Sequence, residues 1–437
     1  MKINKILKIG ITILFVLILA YCLNYGLKYA NIGSAYNAKM VCSCTFLQNR
    51  SLENIKAEEL YAVPFSTIEV NKIEQSVSVD IYGIAKTKAI YRKGLGCTLV
   101  NEMKESELRK QPKLKFNYLP PFEFEANIVN NIAVETAINE AFIETDLKDI
   151  KRTRAIVILQ NGKIIAEKYA KNITPETPLI GWSMTKSVTN AMIGILVKEG
   201  KLDLKKPAPL AEWEKDERKN ITIDHLLRMS SGLDWEENYA QPSTATEMLF
   251  RTKNSGNFAL NVPSKYKPNE QWYYSSGTTN ILQEIIKRQF PKLIDYQRFP
   301  HEKLFQKIGM RSAVLEPDAS GTYVGSSFMF ATARDWAKFG QLYLQDGIWE
   351  GERILPEGWV KYSSTETPNS KGEYAAHFWL YHNDNLYPKE VYHAIGFEGQ
   401  YITIVPSQNL VIVRLGCTPG DNFDHSKLVR EISKATK

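Results

Sequence analysis

Ser183 and Lys186 stand three positions apart in GWSMTKSVTN (181–190), where a short polar stretch gives way to the apolar run VTNAMIGILV. Residues i and i+3 share a helix face, so both side chains can meet at the helix's amino end, where free backbone N–H groups favour developing negative charge. A serine hydroxyl is a weak nucleophile until a base takes its proton, and a lysine can serve once desolvation or another cation lowers its pKa. The pair points to covalent catalysis, with an ordinary helix start and a solvated lysine as the alternative. A second S-x-x-K, Ser264-Lys265-Tyr266-Lys267, lies between Pro263 and Pro268. It cannot begin a regular helix, and no buried apolar helix holds its serine.

Other chemistries find little support. The formal charge of +7 is modest for 437 residues, and the lysines are scattered rather than gathered into a basic stripe, so nucleic acid is not an expected partner. There is no GxxxxGK[ST] or GxGxxG turn, and the six histidines (225, 301, 377, 382, 393, 425) lack metal-binding spacing. Neither a metal nor a cofactor is expected. Asp224 and His225 read as the first turn of a helix, Ser230 and Ser231 before Gly232 as a turn, and Trp182, Trp272 and Tyr273 as packing around the motifs or a pocket lining.

The elements that must position the pair follow from periodicity. From about 40 to 105, STIEVNK, QSVSVDIYG and KAIYRKG alternate like strands, and NEMKESELRKQPKLKFNYLPP reads as a linker. NNIAVETAINEAF has helical spacing, and TRAIVILQNGKIIAEKYA is a hairpin turning at Asn161-Gly162. The helix behind Ser183 runs to Lys198 and stops at Gly200, while Thr332 and Asp335 resemble a capping box with Gly347 as the stop. GQYITIVPSQNLVIVRLG and HSKLVREISKA close the chain as strands and a helix. These elements describe three parts: 1–30, 31–124 and 125–437.

The first part is MKINKILKIGITILFVLILAYCLNYGLKYA, with Lys2, Lys5 and Lys8 ahead of an uncharged apolar run. Its length and the lack of a small-x-small cleavage site predict an uncleaved signal anchor, leaving the remainder facing the periplasm or outside. In such a compartment either Cys42 or Cys44 can pair with Cys97, with buried free thiols as the alternative.

Downstream, in WYYSSGTTNILQEIIKR, aromatics and a small polar triplet precede a second amphipathic helix, and HAIGFEGQYITIVP carries Gly396 onto a late strand. With S-x-x-K, a Y-x-S and a glycine-bearing strand in that order, residues from about 125 to 437 resemble the serine β-lactamase and penicillin-binding-protein superfamily. The likeness is to its class C-like branch of esterases, D-amino-peptide hydrolases and 6-aminohexanoate-dimer hydrolases. It implies an α+β fold, an antiparallel sheet flanked by helices plus a helical lobe. It also implies Ser183 as the acylated serine, Lys186 as its partner and Tyr274 as a general base acting through its phenolate. Ser276 and Gly396 would face substrate, and the N–H groups of Ser183 and Phe397 would form the oxyanion hole. Tyr29-Ala30-Asn31 is a more literal Y-x-N, but it precedes the S-x-x-K and adjoins the membrane run.

One departure bears on substrate. Ala394 stands where the family carries lysine or histidine, and the adjacent His393 should point to the opposite face of its strand. Losing a charge-assisted contact to a substrate carboxylate costs roughly 1.5–3 kcal/mol, or about 10–150-fold in binding. The resemblance therefore implies a membrane-anchored serine hydrolase acting on an ester, an amide or a short peptide rather than an efficient β-lactamase. A peptidoglycan D,D-carboxypeptidase and a non-catalytic sensor are the alternatives.

Overall fold

The computed structural model describes residues 5–437 apart from 115, 117–121, 145–149, 382–389 and 422. Lys2, His382 and the end of the expected linker lie outside the described residues. Helix α1 (Lys5–Phe46) is unbroken. Its apolar run is exposed and is long and apolar enough to cross a membrane, whereas from Ala30 the same helix becomes small and polar and is largely buried. Burial changes near residue 30, but the backbone does not.

The buried half of α1 packs on an antiparallel four-stranded sheet, β1 (Thr67–Asn71), β2 (Ser76–Ile81), β3 (Ala85–Arg92) and β4 (Gly96–Leu99), paired in sequence order. A Cys42–Cys97 disulfide ties α1 to β4, leaving Cys44 and Cys417 as buried thiols. Glu316, from the C-terminal part, reaches into this unit. It pairs with Lys39 and accepts from Ser43 Oγ at 2.9 Å and from the Cys97 N–H at 2.6 Å. A buried carboxylate with three partners fixes the front unit against the rest.

The chain continues through α2 (Ile132–Phe142) into the hairpin β5 (Thr153–Gln160) and β6 (Lys163–Tyr169). Asn161 and Gly162 have φ of 52° and 74°, the left-handed pair that a two-residue hairpin turn requires. Helix α3 (Met184–Lys198) follows, stopped at Gly200 with φ 70°. A lobe of short helices contains α4 (Ser276–Arg288), and α5 (Ala333–Leu344) leads back to β7 (Tyr392–Gly396), β8 (Gln400–Val405), β9 (Leu410–Gly416) and α6 (His425–Ala435).

The five-stranded antiparallel sheet has the order β7-β8-β9-β5-β6. Strand alternation splits it cleanly. Ala155, Val157 and Leu159 face the core shared with α3 and α5, while Ile156 and Ile158 face the core shared with α2 and α6. The result is the expected antiparallel sheet with helices on both faces and a helical lobe. The capping box at Thr332 is half made: its hydroxyl accepts from the Asp335 N–H at 3.2 Å, but the Asp335 carboxylate is taken by Ser312 and Lys338.

Candidate active site

Ser183 sits where β-structure turns sharply into α3. Trp182, just before it, has φ 45°, a costly conformation for a bulky side chain that persists only where its surroundings fix it. The ring stacks on Tyr36 with centroids 6.5 Å apart and meets Phe397 edge-on at 5.9 Å, and its Nε1 donates to Glu398 Oε2 at 3.1 Å. Gly396 explains itself here: a Cβ on it would lie 2.1 Å from the Gly181 carbonyl oxygen. Strand β7 thus lies directly against the backbone of the serine turn, and any side chain at 396 would push it away.

Ser183 caps α3 without using its hydroxyl as a cap. Its Oγ lies 2.9 Å from Lys186 Nζ, which also lies 3.0 Å from Ser276 Oγ and 3.0 Å from the Ser326 carbonyl oxygen. Lys186 is 1% exposed, and desolvation lowers its pKa to about 8 against an opposing pull from Glu237. Nζ donates to all three oxygens, and the lowered pKa brings the neutral amine within reach near pH 8. Ser276 commits its own proton to Glu237 Oε1 at 2.5 Å, so it must accept from Lys186, and the Ser326 carbonyl can only accept. Once Lys186 loses a proton, those two N–H bonds can stay in place and the amine's lone pair faces the Ser183 proton.

Tyr274 hydrogen-bonds Ser183 and lies with its ring centroid 4.8 Å from Lys186 Nζ, held by Trp379 and Tyr374. Burial pushes its phenol well above the ordinary value, the Ser183 hydrogen bond opposes this, and Glu237 adds to it. A resident phenolate at neutral pH, which the resemblance implied, is therefore disfavoured.

Ser183, Lys186, Tyr274 and Ser276 thus meet in one cleft, with Phe397 across from the serine turn. Neither the Ser183 nor the Phe397 N–H is bonded to an acceptor among the described residues. Ala394 is buried toward the α3 side of the sheet, and His393 is buried on the other, with its ring bonded to Thr403 Oγ1 at 2.9 Å. Ser264 bonds the Tyr266 carbonyl in a loop, Ser230 bonds Asn269, and Asp224 pairs with Arg228. Trp272 packs on Tyr374, while Tyr273 is exposed. Glu59, Glu398 and Cys417 bring potential ligand atoms within 4.8 Å of one another, but Glu59 is already paired with Arg50 and Arg154.

Sequence reasoning missed three contributors. Glu237 and Tyr239 come from the loop LDWEENYAQP: Glu237 accepts from the Ser276 N–H at 2.9 Å, and the Tyr239 hydroxyl lies 3.1 Å from Ser276 Oγ. An acidic residue two positions after Trp235 was the only signal, and it carries no periodicity. The Ser326 carbonyl belongs to a loop that Thr189 and Asn280 pin to α3 and α4. A backbone acceptor leaves no mark on the sequence.

A sequence model of the family described as Beta-lactamase matches residues 144–437. The 6-aminohexanoate-dimer hydrolase of Paenarthrobacter ureafaciens is 24% identical over 316 residues, covering 65% of this chain and 78% of that protein. Among solved structures, a penicillin-binding-protein homologue from Caulobacter crescentus gives a TM-score of 0.56 at 14% identity, over 73% of this chain and 100% of the other. The octameric penicillin-binding-protein homologue from Pyrococcus abyssi gives 0.52 at 19% identity, over 69% and 76%. At such identities the structural likenesses speak for the fold, and the family match speaks for descent. The chain belongs to the Beta-lactamase family, within the serine β-lactamase and penicillin-binding-protein superfamily.

Proposed function

We propose that the protein is a membrane-anchored, exported serine hydrolase that cleaves an ester or amide through an acyl-enzyme on Ser183. The observation that carries this reading is the desolvated Lys186, whose Nζ lies 2.9 Å from Ser183 Oγ and is held in place by Ser276 Oγ and the Ser326 carbonyl oxygen. Ser183 attacks the carbonyl carbon as Lys186 takes its proton, and the developing oxyanion meets the N–H groups of Ser183 and Phe397. Tyr274, still protonated, relays that proton to the leaving alcohol or amine as its bond to the acyl carbon breaks. Water then attacks the acyl-enzyme by the same proton route in reverse.

The buried Ala394 supports an uncharged substrate at this strand and weighs against a peptidoglycan D,D-carboxypeptidase, whose substrate ends in a carboxylate. The 6-aminohexanoate-dimer hydrolase relative supports amide or ester hydrolysis. Anchoring is supported by the exposed apolar part of α1 behind Lys5 and Lys8.

The test incubates the full chain with a fluorophosphonate probe and with p-nitrophenyl esters, short amides, nitrocefin and a D-Ala-D-Ala peptide. Labelling and ester turnover, both lost in Ser183→Ala, are expected. Labelling that persists in Ser183→Ala removes the nucleophile, and labelling without turnover of any substrate makes the protein a sensor. An intact N-terminal peptide in membrane-purified protein is expected, and a mature terminus beyond residue 20 contradicts the anchor.

A further inference from the structure

Beside Ser183 lies a cavity of about 150 Å³, and its walls are overwhelmingly apolar. One wall is α1 itself. Tyr29, Ile32, Gly33 and Tyr36 all line it, and their spacing of i, i+3, i+4 and i+7 is a single helix face. Val63, packed against Gly33, and Phe250, edge-on to Tyr36, also line it. Nothing in a water-soluble, polar substrate explains why a nucleophile should adjoin such a chamber, or why the helix that leads toward a membrane should build it.

The same helix fixes where the chamber sits. Ile9–Leu27 is uncharged and exposed, and at 1.5 Å per residue it spans about 28 Å, close to the hydrocarbon thickness of a bilayer. Lys28 marks its end, and the exposed Tyr25 and Tyr29 stand where interfacial aromatics collect. Tyr29, the first lining residue, is therefore about 3 Å along the axis from the last residue of the apolar run. Because α1 is continuous through both regions, the chamber cannot drift away from the membrane surface without breaking the helix. With that run inserted in a bilayer, the α1 wall of the cavity lies beside the headgroup region, and Ser183 lines the same cavity.

We infer that the substrate is a membrane amphiphile, an ester or amide whose alkyl acyl chain passes from the bilayer along the Tyr29–Tyr36 face of α1 into the chamber beside Ser183. This rests on the hydrolase reading above and specifies its acyl group. Ser183 Oγ bonds the acyl carbon as the bond to the headgroup alcohol or amine breaks. That leaving group takes the serine's proton, and water then releases the chain as a fatty acid and restores Ser183. The chamber rewards apolar length at about fourfold per buried methylene until it is filled.

The test uses the full chain reconstituted in phosphatidylcholine vesicles. With p-nitrophenyl acetate, butyrate and octanoate, kcat/KM should rise at least tenfold from acetate to octanoate. Ile32→Trp and Ala62→Trp, which fill the chamber from α1 and from the exposed segment after it, should lower the octanoate-to-acetate ratio at least fivefold, scored on protein that still labels at Ser183. p-Nitrophenyl palmitate should be hydrolysed several-fold faster when it shares the protein's own vesicles than when it is supplied in separate ones. A flat chain-length profile, a ratio unmoved by both variants, or equal rates from shared and separate vesicles overturns the inference while leaving the hydrolase intact. Labelling of Ser183 with no ester turned over overturns the hydrolase reading itself.

Discussion

Replacing Glu237 by glutamine removes a negative charge while keeping an acceptor for Ser276, and it should move the protonation of Lys186. Ser276 Oγ bridges the two groups at 3.0 Å and 2.5 Å, so Nζ and the carboxylate oxygen are at most about 5.5 Å apart. At that separation a unit charge pair is worth about 3 kcal/mol at an effective dielectric of 20 and about 0.8 kcal/mol in bulk water. The partly exposed Glu237 falls between these limits, a loss of roughly 0.5–2 pKa units for Lys186. Glu237 favours the ammonium, so its removal favours the neutral amine. The wild-type kcat/KM for an activated ester such as p-nitrophenyl butyrate should therefore rise about tenfold per pH unit below a midpoint near 8, where burial has placed Lys186, and level off above it. In Glu237→Gln the midpoint should fall to between about 6 and 7.5. A midpoint that stays at 8 or moves upward refutes the assignment of that limb to Lys186.

Lys186→Met keeps the buried volume and should cost about 10²–10⁴ in kcat/KM with little change in thermal midpoint; a loss of less than tenfold argues against lysine as the base. Gly396→Ala brings a methyl group onto the Gly181 carbonyl, so both stability, by about 1–3 kcal/mol in chemical denaturation, and ester turnover should fall together. Cys42→Ser opens a link between residues 55 apart in sequence and should cost about 2–4 kcal/mol in denaturation under oxidising conditions, an effect that reductant abolishes by lowering the wild type to match. Glu398 is buried and its carboxyl is pushed up to about 7 from 4.5, first by desolvation and then by Glu59. Its contribution to stability is full below pH 4.5 and is lost as pH rises through 7, so Glu398→Gln should be more stable than wild type by about 3 kcal/mol at pH 8 and no more stable at pH 4.

What the sequence made legible was local. The Ser183 turn, the Asn161-Gly162 hairpin and the stop at Gly200 are written in adjacent residues, because a helix face or a left-handed turn depends on near neighbours alone. The order of S-x-x-K, Tyr274 and Gly396 carried the fold. Ser276 joining Lys186 was legible only through that order, since 90 residues separate them. What stayed hidden depends on long-range approach. Glu237 sits in an aperiodic loop, Ser326 acts through its carbonyl, and the need for glycine at 396 comes from a turn more than 200 residues away. The most consequential miss was α1. Its composition changes from apolar to small and polar near residue 30, which reads as a boundary. The helix ignores that change because the polar half is buried against β1–β4 and Glu316.

The central claim is that Ser183 becomes acylated in turnover. Full-length protein quenched during hydrolysis of p-nitrophenyl butyrate and analysed by peptide mass spectrometry should carry a butyryl group on the peptide containing Ser183, more of it in Lys186→Met if that variant slows deacylation more than acylation. The adduct should disappear, together with turnover, in Ser183→Ala. A butyryl group on any other residue during turnover, or Ser183→Ala hydrolysing the ester at the wild-type rate, contradicts the account.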